Sequence, residues 1–125
     1  MPTSDALWIT APGVCEMRAT SCDTSAGHVS VETLFSGISR GTEALVFRGE
    51  VPECEWQTMR CPLQEGDFPF PVKYGYAAVG VVVDGDPALV GREVFVLHPH
   101  QSRFVAPQAM AIPLPAEVPA GRAVL

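Results

Sequence analysis

Short β-prone runs recur about every ten residues along this chain, with proline and glycine between them, and this punctuation limits the fold more than any other feature. Twelve prolines and 11 glycines are spread over 125 residues without forming a repeat. Helices of ordinary length have little room in such a chain, so the pattern predicts one turn-rich, mainly β domain, a small barrel or sandwich. Ala6–Thr10 and Val14–Ala19 read as a hairpin turned at Pro12-Gly13. His28–Phe35 alternates with period two and places Val29, Val31, Thr33 and Phe35 on one face. Further on, Tyr74–Asp84, Leu89–Leu97, Ser102–Ala106 and Met110–Leu114 continue the strand series.

Between the two halves the alternation breaks. Two glycines punctuate the stretch from Ser36 to Glu43, and Thr42 is placed to cap a short helix over Glu43–Phe47 that ends at Gly49. A second short helix is expected over Glu53–Arg60. Cys61–Pro71 carries three prolines and a glycine, which forbid regular helix and predict a surface loop.

Charge excludes some functions. The formal net charge is −6 and Lys73 is the only lysine, so no basic stripe exists to neutralise a phosphate backbone and nucleic acid is not an expected partner. No apolar run reaches the length of a membrane span, and residues 1–10 lack the basic start and apolar stretch of a signal peptide. A cytoplasmic protein without a membrane partner is expected. Cys15, Cys22, Cys54 and Cys61 form two Cys-x6-Cys pairs, a spacing too long for a local zinc knuckle, so free structural thiols are expected.

Val72–Val83 holds the most informative local pattern. Gly75 and Gly80 stand at the spacing of a Gly-His-Glu-x-x-Gly zinc-site motif, but Tyr76 occupies the histidine position and Ala77 the glutamate position. Three other segments fall in order around it: Ser36-Gly-Ile-Ser39 is similar to a Gly-Ile-Cys segment, Val90-Gly-Arg-Glu-Val94 to Val-Gly-Asp-Arg-Val, and Phe104-Val-Ala-Pro107 with Leu114-Pro115 to a Glu-Tyr-Val-x-Val to Leu-Pro closure. Together they resemble the N-terminal, GroES-like domain of the medium-chain dehydrogenase/reductase superfamily, the group of zinc-type alcohol dehydrogenases and quinone oxidoreductases, over nearly the whole of residues 1–125.

The resemblance implies a small partial β-barrel with one or two short helices, serving as the substrate-side lobe of an oxidoreductase. It also implies NAD or NADP in the intact protein, held by a Rossmann domain that would follow Leu125. No Gly-x-Gly-x-x-Gly turn occurs in this chain, so no cofactor-binding residue is assigned to it. Pro119–Leu125 reads as a helix beginning without a stop signal, which suggests truncation before that domain. A small-molecule substrate and the missing lobe are the implied partners, and a homodimer of the intact protein is left open.

Zinc catalysis in such a lobe needs thiolate and imidazole ligands around one ion. Here Ser39 or Gly41 replaces the cysteine, while Tyr76 and Ala77 remove the imidazole and the acid, so no catalytic zinc and no metal ligand is expected. Candidate catalytic residues are then Tyr76, as a hydrogen-bond donor to a carbonyl oxygen or as a ring filling vacated space, and the pair Thr42 and Glu43, as hydroxyl relay and acid or as helix cap and first-turn carboxylate. Ser39, Arg40 and Tyr74 are candidate pocket residues, with Arg40 able to pair an anionic substrate, a cofactor phosphate or Glu43. His98 and His100 read as ordinary loop histidines beside Pro99. The competing reading is a stand-alone β-barrel binding module, or a non-catalytic remnant of such an enzyme.

Overall fold

The computed structural model describes residues 3–124. Nine strands and one α-helix account for the regular structure: β1 (Thr3–Ala11), β2 (Val14–Ser21), β3 (His28–Ser36), α1 (Thr42–Arg48), β4 (Glu65–Gly66), β5 (Val72–Lys73), β6 (Ala78–Asp84), β7 (Glu93–Val96), β8 (Arg103–Pro107) and β9 (Ile112–Pro113). They form two antiparallel sheets, ordered β2-β1-β5-β4 and β8-β3-β6-β7-β9. The chain is thus mainly β, with the two sheets of a small partial barrel.

Alternation decides the core. Val29 and Val31 of β3, Ala78 and Val82 of β6, Val94 and Val96 of β7, and Phe104 and Ala106 of β8 all point inward and pack together. A second cluster, Ile9, Val46, Val51, Cys61, Phe68, Val72 and Tyr74, lies under α1 and fastens it to the first sheet. The predicted inward face of β3 holds for Val29 and Val31 but not for Phe35, which is 50% exposed. Register against β6 shifts between Thr33 and Phe35, and a one-residue slip turns the following side chains to the opposite face.

Other departures have local causes. Thr42 does not cap the helix: Gly41 is the N-cap residue, no side chain caps it, and Thr42 is the first helical residue. The helix stops, as expected, at Gly49, whose φ of +71° is accessible at little cost only to glycine. The second helix shrinks to a single 3-10 turn at Glu53–Glu55. Cys61–Pro71 is partly interior, since Cys61 and Phe68 are buried and Glu65–Gly66 pairs with β5. The end of the chain makes a 3-10 turn at Ala120–Arg122.

Residues 98–102 join the two sheets. Leu7 N–H donates to the His100 carbonyl at 3.0 Å, Ala6 bridges Gln101, and Ser102 N–H donates to the Asp5 carbonyl at 2.9 Å. From the other sheet, Thr33 donates its hydroxyl to the Gln101 carbonyl at 2.6 Å and its N–H to the Ser102 carbonyl at 3.0 Å. The 98–102 segment is therefore held from both sheets.

Candidate functional site

A cleft of about 300 Å³ opens between α1, the first sheet and this joining segment. Leu7, Ile9, Ile38, Ala44 and Phe47 give it apolar walls, and Ser39, Arg40, Glu43, Tyr74 and His100 supply its polar groups. A mostly apolar cavity with a few convergent polar side chains is the usual form of a small-molecule site.

Glu43 and His100 form its polar centre. Nε2 of His100 lies 2.5 Å from Oε1 of Glu43, and both residues are buried. The other carboxylate oxygen accepts the Ser39 N–H at 2.5 Å, while Glu43 N–H donates to the Ser39 carbonyl at 3.2 Å. Glu43 thus closes the turn into α1 with one oxygen and holds the imidazole with the other. On the far side of the ring, Nδ1 lies 2.7 Å from the hydroxyl of Ser36, which is exposed at the end of β3.

Space for this ring comes from Gly75. Its φ is +144°, and a Cβ there would stand 2.9 Å from His100 Nε2 and 3.2 Å from Pro99 Cα. The first glycine of the motif-like segment thus serves the close approach of an imidazole, which arrives from the loop after β7 instead of from the motif itself.

The sequence candidates occupy different parts of the site. Ser39, Arg40, Glu43 and Tyr74 line the cleft. Thr42 stands in the first turn of α1, where its N–H donates to Ser39 Oγ at 3.3 Å. Tyr76 is half-buried behind Tyr74, edge-on to it with ring centroids 6.1 Å apart, and is not among the lining residues. Tyr74 donates its hydroxyl to the Met59 carbonyl at 2.8 Å, and burial pushes that hydroxyl well above the usual tyrosine range. Arg40 is not paired with Glu43, as one reading had it; among the described residues it makes no ion pair or side-chain hydrogen bond.

His98 and His100 also depart from the loop reading, since both are buried. His98 stacks on Phe104 with centroids 4.0 Å apart, and its Nδ1 faces the Pro99 carbonyl at 2.7 Å. Burial lowers its pKa to about 4, against an opposing contribution from that carbonyl. Sequence reasoning missed His100 because its partners lie 57 and 64 residues away. The break at Pro99 between two strands was the one local hint that this segment turns inward.

The zinc-motif positions carry other side chains here. Ser39 is engaged with the helix turn, Ala77 offers no ligand, and His100 already turns Nε2 to Glu43. Among the described residues no three His, Cys, Asp or Glu side chains converge on one point. All four cysteines are free, Cys15 and Cys54 exposed, Cys22 and Cys61 buried, with burial pushing the Cys61 thiol up. No helix among the described residues is long and apolar enough to cross a membrane.

No protein-family model matches the chain, and no curated protein sequence matches it. Solved structures share its fold. A short chain alcohol dehydrogenase from E. coli CFT073, complexed with the cofactor NADH, superposes with a TM-score of 0.70 at 20% identity, over 98% of this chain and 41% of that one. The quinone oxidoreductase from Coxiella burnetii gives 0.68 at 14% identity over 98% and 40%, and that from Pseudomonas syringae pv. Tomato gives 0.66 at 18% over 97% and 36%. The chain spans about two-fifths of the length of these proteins.

Proposed function

We propose that residues 1–125 form the GroES-like, substrate-side lobe of a zinc-independent, NAD(P)-dependent oxidoreductase that interconverts an alcohol and a carbonyl, or reduces an enone or quinone. The observation that carries this reading is the buried Glu43–His100 pair in an apolar cleft. Hydride chemistry at a carbonyl needs a proton for the oxygen, and a buried carboxylate–imidazole pair can hold and release one without a metal.

The fold shared with NAD(P)-linked proteins supports the reading, as does their greater length. A second lobe would bring the nicotinamide, whose chemistry is delivery of a hydride. On this side, Ser39 and Tyr74 shape the pocket, and Arg40, exposed and unpaired at its rim among the described residues, provides a cation for an anionic substrate or the cofactor phosphate. Glu43 is the acid of the site, and Thr42 supports the turn that holds it. Tyr76, set behind Tyr74 and outside the cleft lining, supports the wall by packing.

The test is binding of NADH and NADPH by a protein carrying this chain followed by its cofactor lobe, with NADPH oxidation measured against aromatic aldehydes and 1,4-naphthoquinone. Saturable binding with carbonyl-dependent oxidation supports the reading. A stable, monomeric lobe with no such continuation favours the binding-module alternative.

A further inference from the structure

We infer that β2 is a docking edge for a second copy of this chain, which pairs with it antiparallel about a two-fold axis at Met17. The inference concerns this lobe alone and does not rest on the oxidoreductase reading. β2 is the outer strand of the first sheet, paired with β1 on one side and making no backbone bond on the other among the described residues. It is the longest of the sheet edges. β4 and β9 are two residues each and β8 ends in Pro107, whereas Val14–Ser21 runs for 8 residues without the proline or lysine that normally blunts an exposed edge. Val14 and Met17 are 51% and 60% exposed on it.

The pairing with β1 fixes which groups face outward. Leu7 donates its N–H to the His100 carbonyl and the Asp5 carbonyl accepts the Ser102 N–H, so both residues turn their backbone groups away from β2. Opposite residues in an antiparallel ladder exchange both bonds or neither. Met17, opposite Leu7, and Ala19, opposite Asp5, therefore turn N–H and C=O to the open edge, and alternation adds Cys15. A second β2 laid antiparallel, with Met17 opposite the partner's Met17, answers every one of these groups: Met17 bonds the partner's Met17, Cys15 the partner's Ala19, and Ala19 the partner's Cys15. The residues between them come close without backbone bonds, which sets Glu16 against the partner's Arg18 and Arg18 against the partner's Glu16. Centring the pair on Cys15 or Ala19 instead leaves no charge opposite another. Arg18 is already held over the Trp8 ring, 4.8 Å from its centroid, and 2.6 Å from Glu16 in its own strand, so pairing closes these groups into a ring of alternating charge. Cys15 lines the cleft with Leu7 and Ile9, and Met17 shares their face, so the second copy extends the sheet beside the cleft.

The test is sedimentation equilibrium of the whole chain, of Arg18→Glu, and of the swap that combines Glu16→Arg with Arg18→Glu, at physiological ionic strength. The unsubstituted chain is expected to dimerise. R18E is expected to weaken the dimer about tenfold or more, since each attraction across the axis becomes a like-charge contact, and the swap, which restores opposite charges there, is expected to recover it. A chain that stays monomeric at about 1 mM overturns the inference and leaves the edge to another occupant. A dimer equally tight in R18E, or as weak in the swap as in R18E, overturns it too. Should R18E fail to fold, Met17→Cys in a Cys15→Ser background decides. Opposite residues of a hydrogen-bonded pair stand about 5.5 Å apart, within reach of a disulfide, so mild oxidation is expected to link two copies through position 17 and not through the exposed Cys54. Linkage through Cys54 alone, or none, contradicts the pairing.

Discussion

Glu43 in the first turn of α1 and His100 in the segment after β7 meet at 2.5 Å across 57 residues of sequence, and each removes from water a group the other satisfies. The described residues contain no buried side-chain nitrogen or oxygen without a partner. Truncating the acid breaks that balance. Glu43→Ala is expected to lower the free energy of unfolding by about 2–3 kcal/mol, because it leaves the imidazole and the Ser39 N–H unmatched, while Glu43→Gln keeps an acceptor and costs less. Urea unfolding of the two variants checks the order, and equal losses would show that hydrogen bonding is not what Glu43 provides.

Gly75→Ala is expected to destabilise the lobe by about 2 kcal/mol or more, since an added Cβ meets His100 and Pro99 at a backbone angle that side chains seldom adopt. The His100 ring resonances should shift in the same variant. A stable G75A protein with unmoved resonances would contradict the packing described for the site.

His98 predicts a pH dependence of stability. Its folded pKa, about 4, lies below the ordinary 6.5, so the unfolded chain binds the extra proton more readily. This contribution is fully present above about pH 6.5 and is lost as pH falls towards 4, up to about 3 kcal/mol in all. Replacement by Phe, which keeps the stacking on Phe104, is expected to flatten the unfolding free energy across that window. An unchanged slope would assign the acid sensitivity elsewhere.

The two tyrosines are expected to separate. Tyr74→Phe loses the bond to the Met59 carbonyl, worth about 1 kcal/mol. Tyr76→Phe should change stability by less than about 0.5 kcal/mol and leave carbonyl reduction by the two-lobed protein unaltered. A large loss of turnover in Y76F would restore Tyr76 as the proton donor.

Arg40→Gln is expected to leave the melting temperature in place, because the guanidinium is exposed and unpaired among the described residues, and to weaken NADPH binding by the two-lobed protein about tenfold. Titration of NADPH into both proteins measures this, and unchanged affinity would remove Arg40 from the cofactor side.

Much of the fold was legible because its signals are local. The Pro12-Gly13 turn marked the β1–β2 hairpin, period-two alternation marked β3, and the other proline and glycine positions marked most of the turns. What escaped was set by tertiary partners. The slip that exposes Phe35 depends on register against β6, and the capping role read into Thr42 went unused because Glu43 reaches back to Ser39 instead. The site divided in the same way. Ser39, Arg40, Glu43 and Tyr74 were found from a segment order with its own spacing, whereas His100 and Ser36 acquire meaning only when the 98–102 segment folds between the sheets. The substitutions at Tyr76 and Ala77 marked a lost imidazole, but nothing in one sequence could mark the imidazole that comes from another loop.

The proposed site works with Glu43 and His100 and without a metal. Elemental analysis of the two-lobed protein, expressed with added zinc and desalted without chelator, tests it most directly. Far less zinc than protein is expected in a preparation that still binds NADPH. Zinc equimolar with the protein, lost together with the His100 resonances' native positions when a chelator is added, would contradict it.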